Sequence, residues 1–569
     1  MRSFWKRAGG WIALLALVVC LPLWLRGRGA PSPAAGLPRL VVLSPHNEAV
    51  RAEFGRAFAE WHRRNYGAEV ALDWRSPGGT SEIVRYLTGG YTAAFRHEWE
   101  AAGNPWSAAV QAALLKPEGK NQKTGETADG AAAAARRAFL ESRSGVGVDV
   151  FFGGGQYDHQ RLAERGILVP CGLRARHPEL FDGADPVIPR ALGGELWYDP
   201  QDRYYGVCLA TFGLCYNPRR WAEVMPPGTP PPSGWRDLAN PALAGLVAAG
   251  DPSKSGSVAK AYEMLVQQVM AESAAAAGGA TPEVLDRGWA EAMLLLRMIG
   301  ANSRYFTNSA GKVTADVAAG DGAAGICLDS YGRFQEQWER EENAGRAGAD
   351  SLRFVMPAGG TSVSADPVSL LRGAPHPELA GRFLDFLFSA EGQRLWNYRV
   401  GVPGGPAHYA LRRLPIRRDC YTAEDRAKMS DPAADPFRQA ASFTYHPEWT
   451  APHFNLMRLL IRVMVVDCHP ELKAAWAAVR RAGGPGRCPE AMAELRRLPF
   501  THAECAAVGK RLKGNRDAVA LAREWGVFFR AQCLRVQDLA GKAAACAGPE
   551  TAVGSGFVEP KRAGGCQSP

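Results

Sequence analysis

The segment Asp251-Pro252-Ser253-Lys254-Ser255-Gly256-Ser257 joins a strand to a helix. Before it runs the small apolar stretch Leu246, Val247, Ala248, Ala249. After it Val258, Ala261, Leu265 and Val269 recur at helical spacing. A strand that ends in a Ser/Gly-rich turn and feeds a helix gathers hydroxyls and free backbone N–H groups at one point. The helix dipole makes that point attractive to anions. An N-cap with spare serines has the same local pattern. The turn therefore takes its meaning from what surrounds it.

The same β-turn-α pattern occurs twice near the amino end. Residues 40–43 read as a short buried strand, stopped by Ser44-Pro45. Phe54, Phe58 and Trp61 then fall on one helical face. Residues 70–72 read as a second strand, ended by Ser76-Pro77-Gly78-Gly79. Thr80 or Ser81 is positioned to cap a helix carrying Ile83, Val84 and Leu87. Strand–turn–helix repeats of this kind argue for a parallel sheet with ligand groups at the strand ends. Further strands are expected at 148–152, 205–209, 212–216, 323–328 and 353–356. Residues 89–145 are Ala-rich and polar and read as a helical insertion on the surface. From 410 to 545 the pattern is helical.

At 569 residues the chain is too long for one core, so two or more domains are expected. Its first residues carry a basic segment (Arg2, Lys6, Arg7) and an uncharged run over 11–25. That run is short for a spanning helix and fits the apolar core of a secretory leader. Arg26 and Arg28 separate it from the small residues Ala30, Ala34 and Ala35. Both cleavage and an uncleaved anchor to the inner membrane are therefore open. The expected compartment is the periplasm. Half of the net charge of +10 lies in this leader, and no Lys/Arg block interleaved with aromatics occurs elsewhere. Nucleic acid is a poor partner on that ground. The twelve cysteines form no CxxC pair. In an oxidising compartment some are expected to bridge, buried free thiols being the alternative.

Five phrases, in order, give the chain a family resemblance. They are Val41-Val42-Leu43-Ser44-Pro45-His46-Asn47-Glu48, then Val148-Asp149-Val150-Phe151-Phe152-Gly153-Gly154. Trp235-Arg236-Asp237-Leu238-Ala239-Asn240-Pro241 and the 251–257 turn follow. The fifth is Ala380-Gly381-Arg382-Phe383-Leu384-Asp385-Phe386-Leu387-Phe388-Ser389-Ala390-Glu391-Gly392-Gln393. Together they resemble the periplasmic solute-binding proteins of ABC importers, in the branch with ferric-iron, phosphonate and sugar-phosphate binders. The resemblance covers roughly residues 40–405. It implies an α/β, two-lobed periplasmic-binding-protein fold of type II-like form, here with a C-terminal helical extension. Strands near 207–211 and 354–358 would cross between the lobes. The expected division is a leader or anchor at 1–28 and a linker at 29–38. Lobe 1 takes 39–208 with 355–400, including the 89–145 insertion. Lobe 2 takes 209–354 with 401–545, and 546–569 is a disordered tail.

The resemblance also implies a role: capture of a small solute between the lobes by hinge closure, and delivery to an ABC permease in the inner membrane. A monomer, no resident cofactor and no catalysis are expected. The candidate ligand residues are Ser44, His46, Asn47, Gly79, Thr80, Gly154, Ser253, Ser255, Gly256, Ser257, Asp329 and Tyr331. His46 matches the histidine that ferric-iron binders use. The iron pattern departs in two places: Gly153-Gly154-Gly155 stands where those proteins carry a carboxylate, and Tyr331 stands alone where they carry two tyrosines. An iron site would rest on His46, Asp329 and Tyr331, a thin set for a hard cation. The serines and glycines instead suit an organic oxyanion such as a phosphonate or sugar phosphate. Ferric iron remains the alternative cargo. A secreted enzyme or interaction protein on the same fold is a further alternative, suggested by the insertion and the long helical end. No Gly-x-Ser-x-Gly elbow and no GxxxxGK[ST] loop occurs.

Overall fold

The computed structural model describes residues 37–116, 130–342, 350–512 and 514–546. The expected leader, most of the linker and the tail after Cys546 lie outside the described residues. Two sheets carry the architecture. In chain order the strands are β1 (Arg39–Leu43), β2 (Ala71–Arg75), β3 (Val150–Phe152), β4 (Leu168–Val169), β5 (Ala191–Leu192), β6 (Glu195–Leu196) and β7 (Tyr205–Ala210). Then follow β8 (Phe212–Tyr216), β9 (Val247–Gly250), β10 (Ser303–Thr307), β11 (Ala324–Leu328), β12 (Arg353–Val355), β13 (Ser364–Leu371) and β14 (Leu414–Pro415). The first sheet has the order β14-β7-β13-β3-β1-β2, with β4 beside β13; the second has β10-β9-β11-β8-β12. β5 and β6 form a separate hairpin.

In the first sheet β1 runs parallel to β2 and β3, with Val42 level with both Trp74 and Val150. β1 is buried on both faces: Leu40 and Val42 join one core cluster, Val41 and Leu43 another. That is why its sequence is continuously apolar rather than alternating. One face is covered by the helices Glu48–Tyr66 and Pro377–Phe388, through Phe54, Phe58, Phe383 and Phe386. The other is covered by α1 (Thr80–Ala101), Ala108–Leu114 and Gly130–Glu141. The expected surface insertion is thus corrected. Tyr91, Phe95 and Phe139 are buried in this core, the last two rings 5.5 Å apart. The Ala-rich composition hid the few large side chains that hold these helices to the sheet.

Among the described residues, three passes of chain join the lobes. β7 runs into β8 through Thr211 alone, and β12 returns to β13 across residues 356–363. These crossings lie a few residues from the positions expected. The third pass corrects the expected boundary at 401. β14 pairs with β7 in the first sheet, and Leu411, Ile416 and Ala440 lie in that lobe's core. The backbone N–H groups of Ala407, His408 and Tyr409 donate to the Glu53 carboxylate at 2.5–2.9 Å, tying this loop to lobe 1. Phe443 and Tyr445 already belong to lobe 2, so the crossing falls between Ala440 and Phe443. From there to Ala540 the helices bury their apolar faces in the lobe 2 core. Arg297 helps lock them: it is fully buried and donates to the Leu495 carbonyl (2.7 Å) and the Gln532 amide oxygen.

The described cysteines form no disulfides; nine of the ten are buried thiols and Cys546 is exposed. Tyr204 and Tyr205 are both buried in cores on opposite faces of their strand, as alternation requires. Among the described residues no helix is long and apolar enough to cross a membrane.

Candidate functional site

Four helices point their N-termini at one cavity of about 950 Å³ between the lobes. Lobe 1 supplies α1 and α2 (Gln156–Glu164); lobe 2 supplies α3 (Gly256–Ala277) and α4 (Ala310–Ala318). Each follows a strand end, after β2, β3, β9 and β10 respectively. The N-cap positions are Gly79, Gly155, Ser255 and Ser309. At α1, α2 and α4 no side chain caps the helix. The expected cap, Thr80 or Ser81, is corrected: Gly79 occupies that place and Thr80 is the first helical residue. Only at α3 does a cap form, the Ser255 Oγ accepting from the Val258 N–H at 3.3 Å. Uncapped first-turn N–H groups from several helices gather positive partial charge at one point, with Glu82 of α1 and Asp158 of α2 as the acids of those first turns.

The glycine run has a steric cause. Gly153 and Gly154 have φ of +95° and +100°. A Cβ on Gly153 would stand 2.5 Å from His46 Cε1, and one on Gly154 would stand 2.8 Å from Thr80 Cγ2. Three strand-end loops meet there, and only bare backbone fits. On the opposing side the Asp251 carboxylate accepts from the Ser253 N–H at 2.7 Å, and its carbonyl accepts from the Lys254 and Ser255 N–H groups. Asp251 therefore shapes the turn and does not face a ligand.

The predicted residues separate into two groups. His46, Gly79, Thr80, Gly154, Ser255, Gly256, Ser257 and Tyr331 line the cavity. Four do not, and the structure gives each a local task. The Ser44 Oγ accepts from the His46 N–H, and the Asn47 side chain caps the helix Glu48–Tyr66. Ser253 has its N–H on Asp251, and its carbonyl accepts from Arg458. Asp329 is fully buried behind the wall. Its N–H donates to the Thr211 carbonyl, its Oδ1 accepts from the Ser330 N–H, and Arg333 is 3.8 Å from its Oδ2. It braces the β7–β8 crossing. The trio of the iron reading is thus divided. His46 is further engaged, Nε2 at 3.1 Å from Asp366 and Nδ1 buried without a partner. Among the described residues no group of three or more His, Cys, Asp or Glu is disposed to hold a metal.

Sequence reasoning missed the charged residues of the wall. At the base Asp366 accepts from Arg413 Nη1 at 2.5 Å and faces His46. Burial opposes ionisation of Asp366, but Arg413 and the His46 hydrogen bond outweigh it and hold its pKa below the usual range. Burial lowers the His46 pKa despite Asp366, so the imidazole is neutral at pH 7. At the side Lys260 Nζ lies 2.9 Å from Glu195 Oε1 and 2.9 Å from Glu263 Oε2. Ser362 donates to Glu195, while Tyr445 and Thr450 donate to Glu263. Burial would lower the Lys260 pKa; the two carboxylates raise it well above its ordinary value. Gly256, Lys260 and Glu263 follow i, i+4, i+7 spacing, so this face of α3 was open to prediction. Glu195 was not, because it comes from the β5–β6 hairpin of the other lobe.

The lobes meet around the cavity. Arg458 donates to the Pro252 carbonyl (2.9 Å), the Ser253 carbonyl (3.3 Å) and, across the cleft, Ser81 Oγ (3.2 Å). The Tyr157 and Phe454 rings lie 4.8 Å apart from opposite lobes. The cavity is therefore a cleft bridged by contacts between the two lobes.

Residues 148–418 match the model of a family described as bacterial extracellular solute-binding protein. An uncharacterized protein of Haemophilus influenzae is 25% identical over 251 residues, 43% of this chain and 60% of that one. The phosphoglycerate transport regulatory protein of Salmonella typhimurium is 25% identical over 190 residues, 33% of this chain and 39% of that one. The chain thus matches less than two thirds of either relative's length. Among solved structures, the periplasmic binding protein AfuA of Actinobacillus pleuropneumoniae, with fructose-6-phosphate bound, is similar with a TM-score of 0.41 and 17% identity. That match covers 63% of this chain and 81% of that one. Iron-bound HitA from Pseudomonas aeruginosa is similar with a TM-score of 0.43 and 16% identity, over 74% and 99% of the two chains. The segment 148–418, which holds the β7–β8 and β12–β13 crossings and three of the four strand ends on the cavity, is thus the part of the chain that matches the bacterial extracellular solute-binding proteins.

Proposed function

We propose that this protein captures a small organic oxyanion between its lobes and presents it to an ABC permease, working in the periplasm as a monomer that binds without catalysing. The observation that carries this reading is the set of helix N-termini on one cavity, three of the four without a side-chain cap. A volume of about 950 Å³ fits a small metabolite. Ser255 and Ser257 add hydroxyl donors beside the α3 terminus. Tyr157, Phe212 and Phe454 give the cavity apolar surface for a carbon skeleton, and Glu195 offers an acceptor to ligand hydroxyls or an amine. A phosphorylated or phosphonylated polyol matches these features. The Salmonella relative's name, a phosphoglycerate transport regulator, points to the same chemistry. Ferric iron is less well served, since Asp329 lies behind the cavity wall and His46 Nε2 is engaged by Asp366.

Calorimetry on the purified chain tests this with 3-phosphoglycerate, fructose 6-phosphate, 2-aminoethylphosphonate and ferric chloride. One of the organic oxyanions is expected to bind reversibly and without turnover. Ferric iron binding with no anion present, unchanged in a Ser255→Ala/Ser257→Ala variant, would refute the proposal. So would steady conversion of a phosphate ester.

A further inference from the structure

Backbone N–H groups at a helix terminus do not distinguish one oxyanion from another; phosphate and sulfate esters present similar oxygens to them. Discrimination needs a group that responds to the ligand's proton. Of the acids lining this cavity, an unpaired one beside the helix termini has that chemistry. Asp158 stands in the first turn of α2, is 6% exposed and lines the cavity. Among the described residues its carboxylate makes no hydrogen bond and no ion pair, although polar groups surround it. Its Oδ2 lies 3.6 Å from where a methyl on Gly155 would stand and 3.7 Å from where one on Gly256 would stand. It therefore sits between the N-terminal ends of α2 and α3, one from each lobe, where the oxyanion would be held.

We infer that Asp158 makes this site select oxyanions that can share a proton with a carboxylate, the phosphate and phosphonate esters, over sulfate and sulfonate esters. The inference rests on the oxyanion reading of the cavity. An oxyanion on the α3 terminus meets Asp158 at contact distance. Two negative oxygens there repel each other in a site with little water. One proton between them converts the repulsion into a short, charge-assisted hydrogen bond. A phosphate monoester has its second pKa near 6 and can supply that proton close to neutrality. A sulfate ester is a strong acid's anion and cannot. The cations near Asp158 do not remove the conflict. Arg161 and Arg165 lie on its own helix without pairing to it, and the Arg458 guanidinium is spent on Pro252, Ser253 and Ser81.

The test uses matched esters on the full chain at pH 7: glycerol 3-phosphate against glycerol 3-sulfate, and hexose 6-phosphate against hexose 6-sulfate. Calorimetry is expected to give the phosphate at least a tenfold advantage in each pair that binds. Asp158→Asn, which keeps the size and offers a donor to either ester, should narrow the advantage to about threefold or less. Equal binding of sulfate and phosphate by the wild type would overturn the inference, as would a preference that survives in Asp158→Asn. A second readout needs no variant. Lowering the pH from 8 to 5 should raise wild-type sulfate affinity more than phosphate affinity, because Asp158 then brings its own proton. The charged and titratable groups around it are Tyr157, Arg161, Glu164 and Arg165 on α2, Glu82 on α1, Lys254 before α3, and Arg458. A pH-independent ratio would overturn the inference. If phosphate esters bind without discrimination, only the role of Asp158 falls. If neither class binds to wild type or variant, the oxyanion reading falls with it.

Discussion

Replacing Lys260 with methionine would test the buried ionic cluster at the side of the cleft. The ammonium lies 2.9 Å from Glu195 and 2.9 Å from Glu263, and 3.8 Å from the Tyr445 ring centroid. Side-chain exposures are 19% for Lys260, 3% for Glu195 and 1% for Glu263, so solvent screens these contacts little. Each is worth roughly 6 kcal/mol of Coulomb attraction at an effective dielectric of about 20. Desolvation cancels much of that. What remains on removing one partner is the cost of uncompensated buried charge, about 3–5 kcal/mol. For a lobe of this size that is a fall in Tm of roughly 6–20 °C. The pH dependence gives the sharper check. In the wild type the folded Lys260 pKa is raised, so its contribution is fully present below the unfolded value near 10.4 and is lost only as pH rises through the higher folded value. Stability from this group is flat between pH 5 and 8. In Lys260→Met the two carboxylates face each other without a cation, and when both are ionised they repel. The deficit then grows as pH rises from 5 to 8. Urea denaturation at both pH values reads the result, and adding Glu195→Gln should restore part of the loss at pH 8. A loss under about 1 kcal/mol, equal at both pH values, would mean that the cluster is solvated and the cleft is not closed there.

Four further outcomes follow from single contacts. Ser255→Ala with Ser257→Ala should weaken oxyanion binding by about 1–3 kcal/mol in calorimetry, the cost of losing hydrogen bonds to a charged group; part of the Ser255 effect is the lost cap on Val258, so Ser257→Ala alone isolates the ligand contribution. Gly153→Ala should destabilise the fold by about 1–3 kcal/mol in urea, because φ is +95° and the new methyl meets the His46 ring at 2.5 Å; a change under about 0.5 kcal/mol would deny that close approach. Burial raises the Asp158 pKa against the pull of Arg458, Arg161 and Arg165, so Asp158 adds stability below its unfolded pKa and loses it as pH rises through the folded value. Asp158→Asn should therefore make the ligand-free protein more stable than wild type at pH 8, with the difference shrinking toward pH 4. Alkylation of the native protein should reach Cys546 alone among the ten described cysteines and all ten after unfolding without reductant; thiols still blocked after unfolding would reveal disulfides.

The sequence made the strand-end loops legible because loops that feed helices carry their chemistry locally. Pro45, Gly79, the run Gly153 to Gly155 and the 251–257 turn each announce a chain reversal through residues that fix or free the backbone. Whether a loop residue faces the cleft is another matter. Ser44, Asn47 and Ser253 look like ligand donors in the sequence, but nearby N–H groups and Arg458 engage them first. Asp329 follows a strand end as a ligand residue would, yet its N–H pairs with the Thr211 carbonyl at the crossing between the lobes. The charged wall was hidden for the opposite reason. Glu195 to Lys260 spans both lobes, and Asp366 to Arg413 joins β13 to the residue before β14, distant along the chain. Pairings of that kind depend on how the lobes close, which no local pattern encodes.

The acids in the wall bear on the ligand's charge. Asp158, Glu164, Glu195, Glu263, Asp366 and Glu448 all line the cavity, and a simple count would favour a cation. The count misleads because most of these charges are already answered. Asp366 is neutralised by Arg413, Glu263 by Lys260 and two hydroxyls, and Glu448 contacts His446. The helix termini differ: at α1, α2 and α4 no side chain meets the first-turn N–H groups. The strand ends thus offer unpaired N–H donors with Asp158 beside them, while Glu195, whose Oε1 is held by Lys260 and Ser362, presents Oε2 near the α3 face one to two turns further along, roughly 6–10 Å away at 1.5 Å per residue. A ligand that satisfies both ends carries an oxyanion at one end and hydroxyl or amino donors at the other. Inorganic phosphate satisfies only the first. The chain should therefore bind inorganic phosphate at least tenfold more weakly than its best phosphorylated polyol in competition calorimetry. Equal affinity would show that the carbon skeleton contributes nothing and that the α3 face beyond Ser257 lies outside the site.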